Sequence, residues 1–291
     1  MLRINNVSKS FGTKKVLDGL TLEIHDSSIF GLVGVNGAGK STLLRSIAGI
    51  YKCDTGNIEF NGKDTYLDEK IRKHIFFVND DQFYPLAANI RSLKEFYSSF
   101  YEIDEKAYSE ALKMFNLEEN KPIASFSKGM KRQTMLTFAL AIRPDLLLLD
   151  EAFDGLDPIV RMNLKKTLYE FIEDSNSTII ISSHNLKELE DICDSYGILE
   201  NGKVATYGDL LESKNNINKY QLAFKGEFDE SVFDKFDLLH KSKEGSVYTL
   251  VIKGDRDETM KELEKLNPLI LDTLSVNFEE LFIYEHEGGN K

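Results

Sequence analysis

The 291-residue chain has little cysteine, no surplus of positive charge and no long apolar run, and each shortage excludes a class of protein. Its two cysteines, Cys53 and Cys193, stand apart, at neither metal-ligand spacing nor the spacing of a disulfide framework. They read as reduced thiols. Lysine and arginine number 36 against 48 aspartates and glutamates, a formal net charge of −12. A surface built to neutralise nucleic-acid phosphates would carry the opposite balance. Apolar runs such as Leu146 to Leu149 and Ile179 to Ile181 are strand-sized, far short of the roughly 20 residues that a membrane-spanning helix needs. The opening Met1-Leu2-Arg3-Ile4-Asn5-Asn6 lacks the basic-then-apolar order of a secretory signal. Any membrane role therefore requires a separate partner chain. No internal repeat and no heptad run is present. The remainder, 42% apolar and 29% charged, suits a folded chain with one full-sized domain and a smaller one.

Against these absences stands one dense motif. Gly34-Val35-Asn36-Gly37-Ala38-Gly39-Lys40-Ser41-Thr42 matches G-x-x-x-x-G-K-[ST]. Ser28 to Val33 before it reads as a buried strand, and Ser41 to Ala48 after it as a helix. A loop so placed aims backbone N–H groups and the positive end of the helix at a polyphosphate. Lys40 would reach the β- and γ-phosphates, and the Ser41 hydroxyl would ligate magnesium. A chance glycine-rich turn would lack the strand and helix on either side.

Downstream, four leucines end in Asp150-Glu151. Such a run suits a strand buried on both faces of a parallel sheet, with its carboxylates at the edge where open α/β folds bind ligands. Asp150 can hold magnesium, and Glu151 can orient or deprotonate the attacking water in phosphoryl transfer. A second buried strand, Ser177 to Ser183, leads into His184. That imidazole is placed to reach the γ-phosphate, whereas His25, His74, His240 and His286 read as structural. Ser125 to Gln133 precedes an apolar helix running through Ala141. Ser127 and Gly129 offer a second helix start that could meet an anion, and equally an ordinary N-terminal cap.

The rest of the chain supplies scaffolding. Strands are expected at Leu2 to Val7 and at Val16 to Ile24, the latter with a turn at Asp18-Gly19. Phe11, just ahead of Gly12, suits either core packing or a flat surface for a nucleobase. Gly56 to Gly62 reads as a strand entering an Asn-Gly turn. Ile75 to Val78 reads as a buried strand leading into polar Asn79-Asp80-Asp81-Gln82. Asn89 to Asn116 contains no glycine and reads as a helical insertion whose aromatics pack inward. Ile198 to Val204 suggests a hairpin, and polar Glu212 to Asn218 a boundary. Beyond it come strands at Tyr220 to Lys225, Val247 to Lys253 and Leu269 to Leu274. Helices are expected at Glu230 to Phe236, Glu258 to Leu266 and Phe278 to Tyr284. This appendage holds no catalytic constellation.

In this order the motifs resemble those of the ATP-binding cassette family, over residues 1 to about 212. Gly34 to Thr42 matches the family's phosphate loop, Leu146 to Glu151 its magnesium-binding strand, and Ser125 to Gln133 its signature segment. Gly155-Leu156-Asp157 resembles its D-loop, and His184 its switch histidine. The resemblance implies an α/β P-loop NTPase fold with a mostly parallel core sheet, an antiparallel β subdomain and a helical subdomain at about 86–143. A small C-terminal α+β domain at 219–287 would follow. It also implies ATP and Mg2+ as cofactors and head-to-tail pairing of two subunits, as a homodimer or as a heterodimer with another such ATPase. The nucleotide would touch Phe11, Val16, Asn36, Gly37, Ala38, Gly39, Lys40, Ser41 and Thr42 of one subunit. Ser127, Lys128, Gly129 and Asp157 of the other would close over it. Glu151, His184 and Lys40 would be catalytic. Ser41 and Asp150 would hold the metal, with Asp80 (by strand register) or Gln82 (by residue type) as the Q-loop ligand.

Lys128 and Met130 replace the commoner Gly and Gln of the signature, a form similar to that of exporter ATPases with ABC-2-type permeases. Leu274 to Phe282 resembles the closing motif of that branch, which includes exporters of antibiotics and amphipathic peptides. The implied protein is an ATPase at the cytoplasmic face of the cell membrane, held there by a separate transmembrane permease. The alternative is a soluble cassette ATPase with a sensor, immunity or regulatory role. A cassette acting on ribosomes or DNA fits poorly with one cassette, no heptads and an acidic balance.

Overall fold

Alternating apolar residues open the chain as a hairpin, β1 (Leu2–Phe11) and β2 (Lys14–Ile24), paired antiparallel. The computed structural model describes residues 1–80, 84–226, 228–280 and 283–284, and divides the chain into two units, Met1–Tyr207 and Gly208–Lys291. The turn anticipated at Asp18-Gly19 is instead an irregularity inside β2. Gly19 there has φ +64° and donates its N–H to Ser8 Oγ at 2.9 Å, so the strand continues, and the hairpin turns at Gly12-Thr13.

The first unit continues through β3 (Ile29–Val33), α1 (Lys40–Ile47), β4 (Thr55–Phe60), β5 (Lys63–Asp64), α2 (Glu69–Arg72) and β6 (Ile75–Val78). Helices α3 (Ile90–Ser98), α4 (Glu105–Met114) and α5 (Lys128–Ile142) follow. Then come β7 (Leu146–Asp150), α6 (Pro158–Ser175), β8 (Thr178–Ser183), α7 (Leu186–Glu190), β9 (Ser195–Glu200) and β10 (Lys203–Asp209). The Asn61-Gly62 turn forms as expected, with φ of 51° and 72°, and completes a four-stranded antiparallel sheet in the order β2-β1-β4-β5.

A second sheet has six strands in the order β10-β9-β3-β8-β7-β6, with β6, β7, β8, β3 and β9 paired in parallel. Every residue of β3, β7 and β8 is buried, which explains their unbroken apolar sequences. Register decides where the chemistry lies. Val33 sits opposite Ser183 and Asp150 opposite Ser182, so three strands deliver their carboxyl ends to one edge. Helix α1 is wedged into the same core: Leu43, Leu44 and Ile47 cluster with Ile4 and Leu22 of one sheet and Leu148 and Ile180 of the other. Burying each such side chain contributes roughly 1.5–3 kcal/mol.

The helical insertion buries its aromatic stripe only in part: Tyr108 and Phe115 are buried and Tyr97 half-buried, whereas Phe96 and Phe100, anticipated as inward, are each 57% exposed. Tyr97 on α3 lies 4.8 Å from Phe138 on α5 and 5.6 Å from Phe76 on β6, ring centre to ring centre.

In the second unit, the polar run anticipated as a boundary folds as α8 (Leu210–Asn216), because Asp209 caps it by accepting the Glu212 N–H at 2.8 Å. Then come β11 (Ile217–Ala223), a 3-10 turn at Glu230–Lys235, β12 (Leu238–Glu244), β13 (Val247–Lys253), α9 (Arg256–Glu264) and β14 (Ile270–Leu274). The sheet order β12-β13-β11-β14, with antiparallel pairing throughout, is the split-βαβ arrangement with its first helix shortened to that turn. Strand β12 carries only two apolar residues and is not among the expected strands. It forms because β13 offers it a free edge. Tyr220, Leu222, Phe233, Tyr248, Leu250 and Leu263 make the core. Of the anticipated terminal helix, residues 278–280 and 283–284 are helical, and the others lie outside the described residues.

Candidate functional site

The phosphate-loop motif lies between β3 and α1, as its sequence context required. Among the described α-helices, α1 alone starts without a side-chain hydrogen bond at its cap, and it has no acidic residue in its first turn. Its first N–H groups are thus left to an outside acceptor, and the helix dipole favours an anion there. Gly39, at the cap, has φ +113°, and a Cβ on Gly34 would stand 2.5 Å from the Leu199 carbonyl. One glycine answers a conformational demand, the other a steric one. Asn36 and Gly37 are exposed, Ala38 is buried, and Ser41 and Thr42 are half-buried. Lys40 is 5% exposed. Its ammonium donates to the Gly34 carbonyl at 2.6 Å and lies 3.3 Å from Glu151 Oε1.

Strands β7 and β8 place the acidic half beside that lysine. Ser182 Oγ donates to Asp150 Oδ1 at 2.6 Å, while Asp150 Oδ2 is buried with no hydrogen-bond partner among the described residues. A buried, half-satisfied carboxylate is costly in itself, and a divalent cation supplies what it lacks. The residues present fit a magnesium ion on that ground. Glu151 has left the strand with φ +50°, a conformation that costs a non-glycine residue about 1–2 kcal/mol. Its N–H is held by the Ser182 carbonyl at 3.1 Å. The twist brings its carboxylate between an imidazole and an ammonium, with Oε2 2.9 Å from His184 Nδ1 and Oε1 3.3 Å from Lys40 Nζ. His184 is half-exposed. Lys40, Glu151 and His184 therefore form one line, with Asp150 beside it in sequence.

The signature residues form a second group. Ser127 caps α5, accepting the Met130 N–H at 3.2 Å. A Cβ on Gly129 would stand 2.8 Å from the Gly155 carbonyl, so the small residue is required by the neighbouring turn of its own chain. Asp157 caps α6 through the N–H groups of Ile159 and Val160 at 3.1 and 3.0 Å. Lys128 reaches Asp80 Oδ1 at 3.2 Å and Asp154 Oδ2 at 3.9 Å.

Four anticipated residues stand outside these two groups. Asp80, one candidate for the metal, has its carboxylate engaged by Lys128 and by Arg132, unlike the orphaned Asp150 Oδ2. Gln82, the other candidate, lies outside the described residues. Phe11 is 45% exposed at the end of β1, edge-on to Tyr51 at 5.3 Å, and so is not core. Val16 acts from behind the loop: its carbonyl would be 3.0 Å from a Cβ on Gly39 and 2.4 Å from one on Gly202.

Three residues of the site carry no sequence signal of their own. Ser182 lies in an expected buried strand, Arg132 inside the signature-like segment and Asp154 in the turn after Glu151, and none of the three is given a role there. Only the register of β7 on β8 and the packing of α5 against the segment after β7 bring them in.

Residues 17–154 match the model of the ABC transporter family. The chain is 30% identical to the ABC transporter ATP-binding protein YtrB of Bacillus subtilis over the full length of both. It is 29% identical to the linearmycin resistance ATP-binding protein LnrL of the same organism, covering 97% of each. Among solved structures, an ATP-binding subunit of an ABC transporter is 28% identical and superposes with a TM-score of 0.67, over 74% of this chain and 92% of the other.

Proposed function

This chain belongs to the ABC transporter family as an ATP-binding, ATP-hydrolysing subunit, and we propose that it powers export through a separate permease of the ABC-2 type. The observation that carries the catalytic part is the line of Lys40, Glu151 and His184 at the uncapped start of α1. An arriving polyphosphate takes the free N–H groups and draws the Lys40 ammonium from Glu151. The Glu151 carboxylate, still oriented by His184, is then free to accept the proton of the attacking water. Ser41 and the orphaned oxygen of Asp150 would hold Mg2+, which when bound offsets charge on the phosphates. Phe11 supplies an exposed ring for the base, with Val16 behind the loop.

Ser127, Lys128, Gly129 and Asp157 are read as the half-site offered to a second subunit. One chain therefore carries both halves, and either a homodimer or a heterodimer is workable. A cavity of about 920 Å³ lined by Ile50, Phe76, Phe77, Leu93, Phe96 and Tyr97 is the proposed seat for a permease segment. Burial pushes the Tyr97 phenol up to about 12, so that wall stays uncharged. No described helix is long and apolar enough to cross a membrane, which fits peripheral attachment through the permease. Full-length similarity to a resistance ATPase supports antibiotics or amphipathic peptides as cargo. Residues 219–287 are read as an accessory domain.

The deciding experiment is purification of the tagged chain from membranes under mild detergent. A polytopic partner that stimulates its ATP hydrolysis is expected. Recovery only from the soluble fraction, with turnover indifferent to membranes, would favour a sensor or immunity role instead.

A further inference from the structure

The geometry points to Arg132 as a positioning residue for the reaction, acting through Asp80 and Asp154 rather than on the nucleotide. Arg132 lies near the start of α5 and is only 2% exposed. Its guanidinium bonds Asp80 Oδ1 on one side. On the other side it donates to the Asp154 backbone carbonyl and stands 3.6 Å from Asp154 Oδ2. Lys128, one turn earlier, adds a second cation between the same two carboxylates. The planar guanidinium can serve two acceptors at once in a fixed geometry, which a lysine cannot reproduce.

Each segment joined here leads somewhere else. Asp154 donates its N–H to the Glu151 carbonyl at 3.1 Å, so it braces the residue held in the left-handed conformation. Asp80 stands two residues beyond the end of β6, and its neighbour Asn79 and Tyr84 line the large cavity. The Tyr84 hydroxyl donates to the Lys131 carbonyl at 2.9 Å, next to Arg132. The first turn of α5 carries Ser127 and Gly129. One buried cation thus ties the cavity wall, the half-site for a second subunit and the brace behind Glu151 into a single body. Movement of a segment seated in the cavity is carried to Glu151 through Asp80, Arg132 and Asp154. The inference rests on the ATPase reading above and adds to it the route by which the cavity governs turnover.

The test uses the purified full chain with Asp80→Asn, Arg132→Ala, Arg132→Lys and the Asp80→Asn/Arg132→Ala pair. Asp80 is half-exposed, so its variant stays folded where Arg132→Ala fails. Hydrogen exchange without nucleotide is expected to speed up at Asp154 to Asp157 in Asp80→Asn, although those residues do not touch Asp80 in sequence. The kcat for ATP is expected to fall about tenfold in Asp80→Asn and in Arg132→Ala, with nucleotide Kd changed by less than about twofold. Arg132→Lys should recover part of the loss, and the pair should be no worse than Arg132→Ala alone. Unchanged exchange at Asp154 to Asp157, an equal fall in affinity and kcat, or multiplying losses in the pair would each overturn the proposal. Lys40→Ala separates this from the parent reading: normal nucleotide binding in that variant sinks the ATPase site, while the exchange result still judges the clamp.

Discussion

The two units differ less in how they fold than in what they bury. Each has a sheet with helices on it and an apolar cluster of its own. Yet of the polar and charged residues that are buried among the described residues, Asn218 alone belongs to the second unit. It is satisfied by the carbonyls of Asn215 and Gly254 at 3.3 and 2.9 Å. The first unit buries Lys40, Arg132 and Asp150, and leaves Asp150 Oδ2 without a partner. It also holds Glu151 in a strained backbone. Folding alone does not reward such choices, because a buried unpaired polar atom costs about 1–3 kcal/mol. The lesson is that the first unit spends stability on chemistry and the second does not.

The sharpest way to break this comparison is Glu151→Gln. The change preserves size and the contact to His184 but removes the proton acceptor. Turnover should fall by about 10²–10⁴-fold, nucleotide binding should persist, and a nucleotide-bound dimer should accumulate. Steady-state hydrolysis and size-exclusion chromatography with ATP would check it. Hydrolysis at the original rate would remove Glu151 from its role and leave its strained backbone without a functional account.

The matching change in the second unit is Phe233→Ala. Its ring is wholly buried against Phe228 at 5.3 Å and Tyr248 at 5.4 Å, between ring centres. Truncation should cost that unit about 3–5 kcal/mol. Calorimetry should show one transition shifted down, while nucleotide affinity at low temperature holds. A parallel loss of affinity would mean that the second unit takes part in the chemistry after all.

Legibility in the sequence followed the same division. The β3–loop–α1 segment, the Leu146 to Asp150 strand and the strand before His184 were readable because full burial leaves unbroken apolar runs. The Asp18-Gly19 segment misled, since a glycine with positive φ serves a strand irregularity as well as a turn. Strand β12 was invisible, because an edge strand needs a partner more than it needs apolar residues. Glu151, Lys40 and His184 sit in local motifs, so their juxtaposition could be anticipated. Arg132 with Asp80 and Asp154 could not, because 52 and 22 residues separate it from them and only tertiary packing closes the gap.

The smallest of the expected effects tests whether exposure, too, has a function in the first unit. The aromatics of the second unit pack on one another, as Phe224 does on Phe228 with ring centres 3.6 Å apart. Phe11 instead leaves almost half its surface open at the end of β1, with Tyr51 meeting it edge-on. An exposed ring adds little to folding, so Phe11→Ala should leave the melting temperature nearly unchanged. Loss of a stacking surface is worth about 1 kcal/mol, or about a fivefold weaker nucleotide affinity. Phe11→Tyr keeps the flat face and should bind as well as the original chain. Equal affinity in all three, measured by titration with a fluorescent ATP analogue, would return Phe11 to the ordinary exposed residues. A falling melting temperature in Phe11→Ala would show instead that its edge contact with Tyr51 supports the hairpin.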